Sequence, residues 1–421
     1  MSTFVYTNAD EILDHIEQVL TFLQRRQAQP RPAPTRVETE QILAVAHAAS
    51  LERDEGRRCT FTIAFYPLFG THWEFGERPR FEPSILNRLA SALNPSATNV
   101  GLKRSESDGA LVIASMGFGP PDGFSVTVMG PGVLVVRYGD TVVLLYRKGS
   151  KKLYEVVSPE VDDALRALSI PFARTQPEAV RAEMQPRVDR FLRTTARAML
   201  ALGHGGALVV LPGDAQQKDV ESGGPHHTAK SQFMANASET HANQAMYTVA
   251  DVEPLIPRVK EMLAGEGVDP WRIKTLEELI QPNRWIDQAA RNVARLTATD
   301  GMTVIEDDLT IWGFGVFYGF ERDRRQFDVV LVGPFEDPTA SRVKFEALGG
   351  ARHQTAAQVC NVYRTALVIV ASQDGALSAM RWSDEANAVV VHRGLELLLH
   401  PFDDTSVPPA VARNSLQLTP E

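Results

Sequence analysis

The sequence predicts an α/β protein in which a C-terminal domain of strands flanked by helices follows an α+β N-terminal domain. Three observations lead to this prediction. The chain has 421 residues, more than one hydrophobic core usually organises, so two domains are expected. Helical and strand-like patterns occur in both halves. A polar stretch rich in proline and acid, about residues 158–186, lies between them.

The N-terminal half begins with two helical patterns and continues with a series of strands. Residues 9–24 place apolar side chains on one helical face, and a second helix is predicted near residues 38–51. Turn pairs such as Pro131-Gly132 and Gly139-Asp140 join the later strands, as in antiparallel hairpins. The predicted strands cover residues 60–66, 110–116, 124–129, 133–138 and 141–147.

Composition and charge narrow the classes of function. The net charge of −9 and the pI near 5.7 argue against general nucleic-acid binding. No run of about 18 or more apolar residues appears, and the start at Met1 has no basic region before an apolar core, so neither a membrane span nor a signal peptide is expected. Cys59 and Cys360 lie in apolar stretches, which predicts reduced, buried thiols and a cytoplasmic protein.

The first candidate site segment is Asp300-Gly301-Met302, which separates a helical pattern at residues 285–296 from a strand pattern. A carboxylate in a tight turn is a suitable ligand for a hard divalent cation such as Mg²⁺. Gly301 tolerates a positive φ and a close approach of the backbone to a ligand. The alternative is a plain turn, and the same dipeptide at Asp108-Gly109 is interpreted as a hairpin turn.

The second segment opens a helix. Gly349 and Gly350 interrupt the preceding pattern, and residues 355–362 read as helical. Backbone amides at a helix start attract anions, and Arg352 can add a bidentate contact to phosphate. His353 can donate a hydrogen bond to phosphate or handle a proton. The alternative is a surface arginine beside a histidine that caps the core.

The third segment follows an apolar strand pattern at residues 366–371. It reads Ser372-Gln373-Asp374-Gly375, and polar groups at such strand ends are where α/β sheets bind ligands. Asp374 is a candidate second metal ligand. The alternative is a Gln-Asp-Gly hairpin turn.

Taken in order, the three segments resemble the motifs of the diadenylate cyclase domain, over roughly residues 185–400. That family has an Asp-Gly-Ala motif, a Gly-Thr-Arg-His-Arg motif opening a helix, and a strand ending in Ser-Glu-Glu. Residues 204–211 resemble its first strand, and residues 376–380 and 388–391 its closing strands. The resemblance implies a mixed sheet flanked by helices. The matching residues are Asp300-Gly301-Met302, Gly350-Ala351-Arg352-His353-Gln354 and Ser372-Gln373-Asp374.

The resemblance also implies a reaction and a set of site residues. Two ATP molecules would be joined into cyclic di-AMP with release of two pyrophosphates, in a face-to-face homodimer or higher homo-oligomer. The implied catalytic residues are Asp300, Arg352 and His353, and Asp300 and Asp374 would hold Mg²⁺ or Mn²⁺. The implied ATP contacts are Gly301, Met302, Gly350, Ala351, Arg352, His353, Gln354 and Ser372. Adenine would need an apolar slot, for which residues 309–318 are the candidate.

The chain departs from the family pattern at four positions. Met302 replaces an alanine, Ala351 a threonine hydroxyl, Gln354 a second arginine and Gln373 an acid. An alternative is therefore a weakened cyclase site that binds a nucleotide as a sensor, and a further one is a related nucleotidyltransferase with another product.

The N-terminal half resembles the probable sensor domain of the DACNV type that accompanies some diadenylate cyclase domains. Residues 94–101 (Asn-Pro-Ser-Ala-Thr-Asn-Val-Gly) and the strands after them show this resemblance. We therefore expect a regulatory domain over residues 1–157, a linker over 158–185, a cyclase domain over 186–402 and a tail over 403–421.

Overall fold

The computed structural model describes two compact units, which divide between Asp162 and Asp163. Each unit combines helices with a large mixed sheet, so the α/β fold class is confirmed. The described residues are 9–27, 30–54, 57–58, 60–66, 72–90, 93, 98–118, 121, 123–147, 150–154, 164–171, 177–212, 227–234, 282–320, 327–336 and 342–399.

The described residues of the first unit form three helices and ten strands. The helices are α1 (Ala9–Arg26), α2 (Arg36–Leu51) and α3 (Pro83–Ala90). The strands are β1 (Arg53–Asp54), β2 (Arg57–Arg58), β3 (Phe61–Phe65), β4 (His72–Glu74), β5 (Thr98–Arg104), β6 (Leu111–Phe118), β7 (Phe124–Gly130), β8 (Val133–Tyr138), β9 (Thr141–Arg147) and β10 (Ser150–Leu153). The five strands predicted in this half are all present, with ends that differ by a few residues.

The sheet of the first unit has the order β10-β9-β8-β7-β3-β5-β6-β4, and only β3 and β5 pair in parallel. One face holds the apolar core with α1 and α2, including Ile16, Ile42 and Val126. Helix α2 starts at a capping box, in which Thr35 Oγ1 accepts from the Glu38 amide and the Thr35 amide donates to Glu38 Oε2 at 2.7 Å. The Asp108-Gly109 pair lies in the turn between β5 and β6 with Gly109 at φ +70°, which confirms its interpretation as a hairpin turn.

The second unit contains the remaining elements. The helices are α4 (Glu178–Leu202), α5 (Pro282–Leu296), α6 (Ala351–Val362) and the short α7 (Leu395–Leu398), with a 3-10 helix at Phe345–Leu348. The strands are β11 (Gly206–Leu211), β12 (His227–Met234), β13 (Met302–Glu306), β14 (Ile311–Phe320), β15 (Asp328–Val332), β16 (Arg342–Lys344), β17 (Leu367–Ala371), β18 (Leu377–Ser383) and β19 (Ala388–Arg393).

The nine strands of the second unit form one mixed sheet with the order β12-β14-β13-β11-β17-β18-β19-β15-β16. The central strand β11 is parallel to β13 and antiparallel to β17. Helices α4 and α5 pack together, and Arg190 of α4 makes a bidentate contact with the buried carboxylate of Asp287 at 2.7 and 2.8 Å. Cys360 of α6 is fully buried in this core, whereas Cys59 lies outside the described residues.

The predicted linker differs from the structure. Helix α4 begins at Glu178, inside the stretch assigned to the linker, and it continues through Pro186. Upstream, the buried side chains of Leu168 and Ile170 belong to the second unit, and the Ser169 carbonyl accepts from Arg381 Nη2 at 3.2 Å. This segment has few apolar residues, and its mostly polar composition therefore did not indicate that Leu168 and Ile170 are buried.

No helix in the described part of the chain is long and apolar enough to cross a membrane.

Candidate functional site

The three predicted site segments meet at one edge of the nine-stranded sheet. Because β11 and β13 are parallel, their N-terminal ends lie together, which brings Gly205 beside Gly301. Because β17 is antiparallel to β11, its C-terminal end reaches the same edge, where Ala371 lies opposite Gly206. We call this end of the sheet the Asp300 edge.

Helix α6 places its N-terminus at the Asp300 edge. It packs on β17 and is joined to that strand by only a few residues, so it runs back across the sheet from this edge. Arg352 Nη2 lies 3.6 Å from Asp300 Oδ1. The Asp300 side chain is 89% exposed and that of Arg352 35% exposed, so both charged groups face a region open to a ligand.

Gly205 allows the Arg352 side chain to approach. A β-carbon at Gly205 would lie 3.0 Å from Arg352 Nη1 and 3.1 Å from Gln373 Cγ, and Gly205 has a φ of +69°. A larger residue would be strained and would push against both side chains. Gln373 also donates from Nε2 to the His204 carbonyl at 3.3 Å. The turn before β11 is therefore part of the site.

The start of α6 has the form of an anion-binding helix end. Gly349 takes a φ of +102°, and Gly350 is the N-cap, where no side chain of the described residues caps the first amides. The Ala351 side chain is exposed at the first turn. Gln354 Nε2 donates to the Gly349 carbonyl at 3.0 Å, so this side chain supports the loop before the helix.

His353 is half-buried between opposite charges. Burial lowers the pKa of its imidazole, the nearby guanidinium of Arg393 lowers this pKa further, and Asp374 opposes the shift. The lowered pKa favours the neutral imidazole, in which one ring nitrogen can accept a hydrogen bond and the other can donate one.

The third segment forms the turn between β17 and β18. The Ser372 amide donates to the Ala376 carbonyl at 2.8 Å, and the Gly375 amide donates to the Ser372 carbonyl at 3.1 Å. Asp374 is exposed, and its Oδ1 accepts from the Ala376 amide at 3.3 Å. The hairpin-turn alternative is thus the observed local structure, and this turn presents Asp374 at the Asp300 edge.

Gly301 and Met302 have packing roles at this edge. A β-carbon at Gly301 would lie 2.7 Å from the Gly315 carbonyl carbon and 2.9 Å from the Val316 amide nitrogen, so β14 occupies that side. Met302 is only 4% exposed and packs in the core of the second unit. Any contact of Met302 with a nucleotide would therefore come from its backbone.

Residues 309–318, which were predicted to line an adenine slot, do not lie together at one end of the sheet. Leu309 is buried in the turn that joins β13 to β14, at the edge opposite Asp300. Gly315 and Val316 lie beside Gly301, but Val316 is fully buried. The slot prediction is therefore wrong for Leu309 and Val316, because Leu309 lies at the far end of β13 and the side chain of Val316 is buried in the core.

Two charged residues at this edge were not recognised from the sequence. Strand β19 is parallel to β17, so its last residue, Arg393, reaches the Asp300 edge near His353. Glu336 follows β15, and its Oε1 lies 3.9 Å from Arg393 Nη1. The only sequence signal for Arg393 is its position at the end of an apolar strand, which becomes informative once the strand order is known.

The two candidate carboxylates could supply some, but not all, of the ligands of a hard divalent cation. Asp300 and Asp374 supply carboxylate oxygens, which Mg²⁺ and Mn²⁺ prefer, and Mg²⁺ commonly takes one or two carboxylates together with phosphate oxygens and water. The described residues contain no group of three or more histidine, cysteine or acidic side chains arranged around a common point. The arrangement therefore fits a cation that arrives with a phosphate ligand better than a fully protein-bound one.

Comparison with known proteins gives one family match. Residues 28–116 match the family described as probable sensor domain DACNV, so the chain carries such a domain in its N-terminal half. The matched segment ends within β6, whereas the sheet of the first unit continues through β7 to β10. Neither the curated proteins nor the solved structures contain a match to the chain.

Proposed function

We propose that the second unit is a diadenylate cyclase, which condenses two ATP molecules into cyclic di-AMP and releases two pyrophosphates. The proposal combines the resemblance of the three segments with their positions in the sheet. The DACNV match in the first half agrees with the proposal. Probable sensor domains of this type accompany some diadenylate cyclase domains.

One observation supports the proposal most. Asp300 and Arg352 are 52 positions apart in sequence, and their side chains lie within 3.6 Å at an exposed sheet edge. A carboxylate for a cation and a guanidinium for phosphate are the two groups that a triphosphate needs. Gly205 makes room for this guanidinium, which explains why a glycine is placed there.

Each step of the proposed reaction moves one adenylyl group. The 3′-hydroxyl oxygen of one ATP attacks the α-phosphorus of the other, the bond from that phosphorus to the pyrophosphate oxygen breaks, and the hydroxyl proton is released. Arg352 and the amides that open α6 hold the triphosphate and balance the charge on the departing pyrophosphate. His353, whose lowered pKa favours the neutral imidazole, donates a hydrogen bond to phosphate from its protonated ring nitrogen.

The acidic residues would serve the cation that accompanies ATP. Asp300 and Asp374 would hold Mg²⁺ or Mn²⁺, which supplies Lewis-acid stabilisation of phosphate charge when bound. With the cation held, Asp300 would no longer contact Arg352, and the guanidinium of Arg352 would be available to the phosphates. The loss of this contact would cost little, because an exposed ion pair contributes little to stability.

The product requires two copies of the site. Each site holds one ATP, and cyclic di-AMP is symmetric, so two second units would face each other across a two-fold axis. We therefore propose a homodimer, or a higher homo-oligomer built from such pairs, as the active form.

The alternative proposal is a sensor that binds a nucleotide without converting it. Gln354 motivates it, because its side chain supports the Gly349 carbonyl where the family has a second arginine. A related nucleotidyltransferase with a different product is a further alternative, and the same experiment decides among the three.

The test is to incubate the pure full chain with ATP and Mn²⁺ and to separate the products by chromatography and mass spectrometry. We expect cyclic di-AMP and pyrophosphate in a ratio of one to two. Asp300→Asn should lose at least about tenfold to a hundredfold of the turnover, the range for weakened metal sites, and keep part of its ATP binding.

Asp384→Asn is the matched control. Asp384 is an acidic residue of the same sheet, in the turn between β18 and β19, at the edge opposite Asp300. It should leave turnover unchanged. ATP binding without any product would favour the sensor alternative, a different dinucleotide would favour the third, and full turnover by Asp300→Asn would show that the cation is held elsewhere.

A further inference from the structure

The end of strand β19 places an arginine beside the start of α6. Val389 and Val391 are fully buried in the core that β19 shares with α6, so the next alternate residue, Arg393, lies on the same face of the sheet, just beyond this core. Its Nη2 donates to the Leu348 carbonyl at 3.4 Å, in the short segment that leads into α6. The guanidinium therefore lies at the opening of this helix, although a different element supplies it.

Two glycines fix the backbone around Arg393. A β-carbon at Gly333 would lie 2.9 Å from the Arg393 carbonyl oxygen and 3.2 Å from Glu336 Cγ. Gly394 takes a φ of +73°, and a β-carbon there would lie 3.1 Å from Pro334 Cδ. The turns that follow the parallel strands β15 and β19 therefore pack closely against each other. Such packing holds the base of the Arg393 side chain in place before a ligand binds.

The guanidinium of Arg393 is held only weakly by its own partners. Glu336 Oε1 lies 3.9 Å from Nη1, beyond hydrogen-bond distance, and the bond to the Leu348 carbonyl is longer than the usual range of about 2.7–3.2 Å. The side chains of Arg393 and Glu336 are each 33% exposed. A guanidinium has more N–H donors than these contacts use, so Arg393 keeps donors that can meet a ligand from solvent.

Two guanidinium groups lie on opposite sides of the first turn of α6. Arg352 Nη2 reaches towards Asp300, just before β13, whereas Arg393 comes from β19, and β11, β17 and β18 lie between these strands. His353 lies between the two arginines. Its pKa is lowered by the guanidinium of Arg393 and raised by the carboxylate of Asp374, so both of these charges act on the first turn of the helix.

This part of the Asp300 edge is open to solvent. The side chain of Asp300 is 89% exposed, that of Arg352 35% and that of Arg393 33%. A ligand can therefore reach these groups without displacing buried parts of the chain. Two guanidinium groups on either side of a helix start suit a ligand that carries several negative groups in a row.

Arg393 also bears on the departure from the family pattern at Gln354. The diadenylate cyclase motif has an arginine at this position, whereas Gln354 is uncharged and donates to the Gly349 carbonyl at 3.0 Å. Arg393 donates to the carbonyl of the preceding residue, Leu348. The positive charge that α6 lacks at position 354 is therefore supplied to the same loop by a strand.

We propose that Arg393 binds the terminal phosphate of the nucleotide in the second unit, and that it selects triphosphates over diphosphates and monophosphates. This inference rests on the proposed function, in which the α-phosphate lies near the cation held by Asp300. The phosphates then extend along the start of α6, from Arg352 towards Arg393, and only a triphosphate reaches both guanidinium groups. Arg393 is in this sense a specificity-determining residue.

The test measures the affinity of the pure full chain for the 3′-deoxy forms of ATP, ADP and AMP, by calorimetry with Mg²⁺. These nucleotides lack the attacking hydroxyl, so no product forms during the measurement. We expect Arg393→Gln to weaken binding of the triphosphate about tenfold to a hundredfold, the range for hydrogen bonds to a charged group, and to leave binding of the monophosphate unchanged. Arg393→Lys should keep part of the triphosphate affinity, because it keeps the charge.

A structural role of Arg393 predicts a different result. The contacts of its side chain are long and partly exposed, so Arg393→Gln should melt close to the wild type without ligand. Glu336→Gln removes the carboxylate that competes with phosphate, and it should raise triphosphate affinity by up to about fivefold. Equal losses for all three nucleotides in Arg393→Gln, or no loss for the triphosphate, overturn the proposal.

Arg342→Gln is the matched control. Arg342 belongs to the same sheet, and its Nη2 donates to the Ala386 carbonyl at 2.7 Å, in the turn between β18 and β19 at the edge opposite Asp300. The variant removes the same charge and the same kind of contact with a carbonyl. It should leave all three affinities unchanged. A loss of triphosphate affinity as large as that of Arg393→Gln would show an effect of overall charge and refute the assignment.

The measurements separate this inference from the proposed function. A wild-type chain that binds none of the three nucleotides refutes both. Triphosphate binding that Arg393→Gln leaves intact refutes the role of Arg393 alone. Triphosphate binding that depends on Arg393, in a chain that forms no cyclic di-AMP from ATP and Mn²⁺, supports the role of Arg393 and refutes the cyclase.

Discussion

Arg352 is the residue whose chemistry is easiest to isolate. Its guanidinium lies between Asp300 and Gly205, where a triphosphate would meet it. We expect Arg352→Ala to weaken ATP binding about tenfold or more and to leave adenosine binding nearly unchanged, because the guanidinium recognises phosphate. Calorimetry with both ligands measures the difference.

Arg352→Lys is the informative companion variant. It keeps the charge but loses the planar, bidentate geometry, so ATP affinity should fall between the wild type and Arg352→Ala. Equal losses of ATP and adenosine binding in Arg352→Ala would mean that the residue supports the fold of the site, and its assignment to phosphate would be withdrawn.

Glu306 gives a prediction about pH and stability. Burial raises its pKa to about 7 from an ordinary value of 4.5, and Asp308 and Asp307 add to the shift. Because the folded state holds this proton more tightly than the unfolded state, the stabilisation is complete below pH 4.5 and is lost as pH rises through 7.

Glu306→Gln imitates the protonated acid at every pH. We expect the variant to melt above the wild type at about pH 8 and close to it at about pH 5. Thermal unfolding at both values measures this. The same difference at both pH values would show that the effect arises from packing and not from titration.

At the residue scale, the sequence indicated some polar residues of the candidate site but not the residues that surround them in space. Asp300, Arg352 and His353 were proposed as site residues because each stands beside a glycine or at a change of pattern. Gly205 and Arg393 were not, because their relevance depends on which strand ends meet. Among the four departures from the diadenylate cyclase pattern, Gln354 makes its own contact, with the Gly349 carbonyl.

At the scale of elements, two glycines allow the energetic cost of a positive φ to be measured apart from the cost of a steric clash. Gly301 and Gly349 have φ values of +101° and +102°. Among the described residues, a β-carbon added at Gly301 would meet Gly315 and Val316, whereas one added at Gly349 would meet nothing within 4 Å. Both alanine variants should be destabilised by about 1–3 kcal/mol because of the unfavourable φ. Gly301→Ala should lose more, because β14 must move.

Chemical denaturation of both variants measures these costs. A larger loss for Gly301→Ala supports the close packing of β14 against the turn before β13. Equal losses would show that the β-carbon is accommodated, and that the glycine at 301 is needed for its backbone conformation alone.

Elements with local signals were the most predictable. The hairpins of β7, β8 and β9 follow from alternation and from turn residues, and their bounds agree closely with the prediction. The predicted linker extended to residue 185, whereas α4 begins at Glu178 and continues through Pro186. Residues 227–234 are mostly polar and show no apolar alternation, although β12 forms there by pairing with β14. Pairing with a distant strand is invisible to local pattern.

At the scale of the whole molecule, the two units invite a test of regulation. The first carries the DACNV match, and the second carries the candidate site. We expect a chain starting at Glu178, the first residue of α4, to differ from the full chain in product formed per dimer. Dimer content, measured at several concentrations alongside activity, gives the rate per dimer.

The comparison needs a control for stability. If the shortened chain melts at a lower temperature, activity should be measured well below that temperature for both proteins. Equal rates per dimer would argue that residues 1–177 serve another purpose than control of the second unit.

The central position of β11 in the sheet affects the order in which the two units can fold during synthesis. This strand pairs with β13 and β17, whose partners Thr303 and Ala371 are synthesised long after Leu208 and Gly206. Such distant pairings form slowly and must wait for the later chain. The strands of the first unit end at Leu153, so its sheet can form while the ribosome is still producing the second unit. A chain interrupted before Ala371 would therefore carry the complete sheet of the first unit but lack the Asp300 edge.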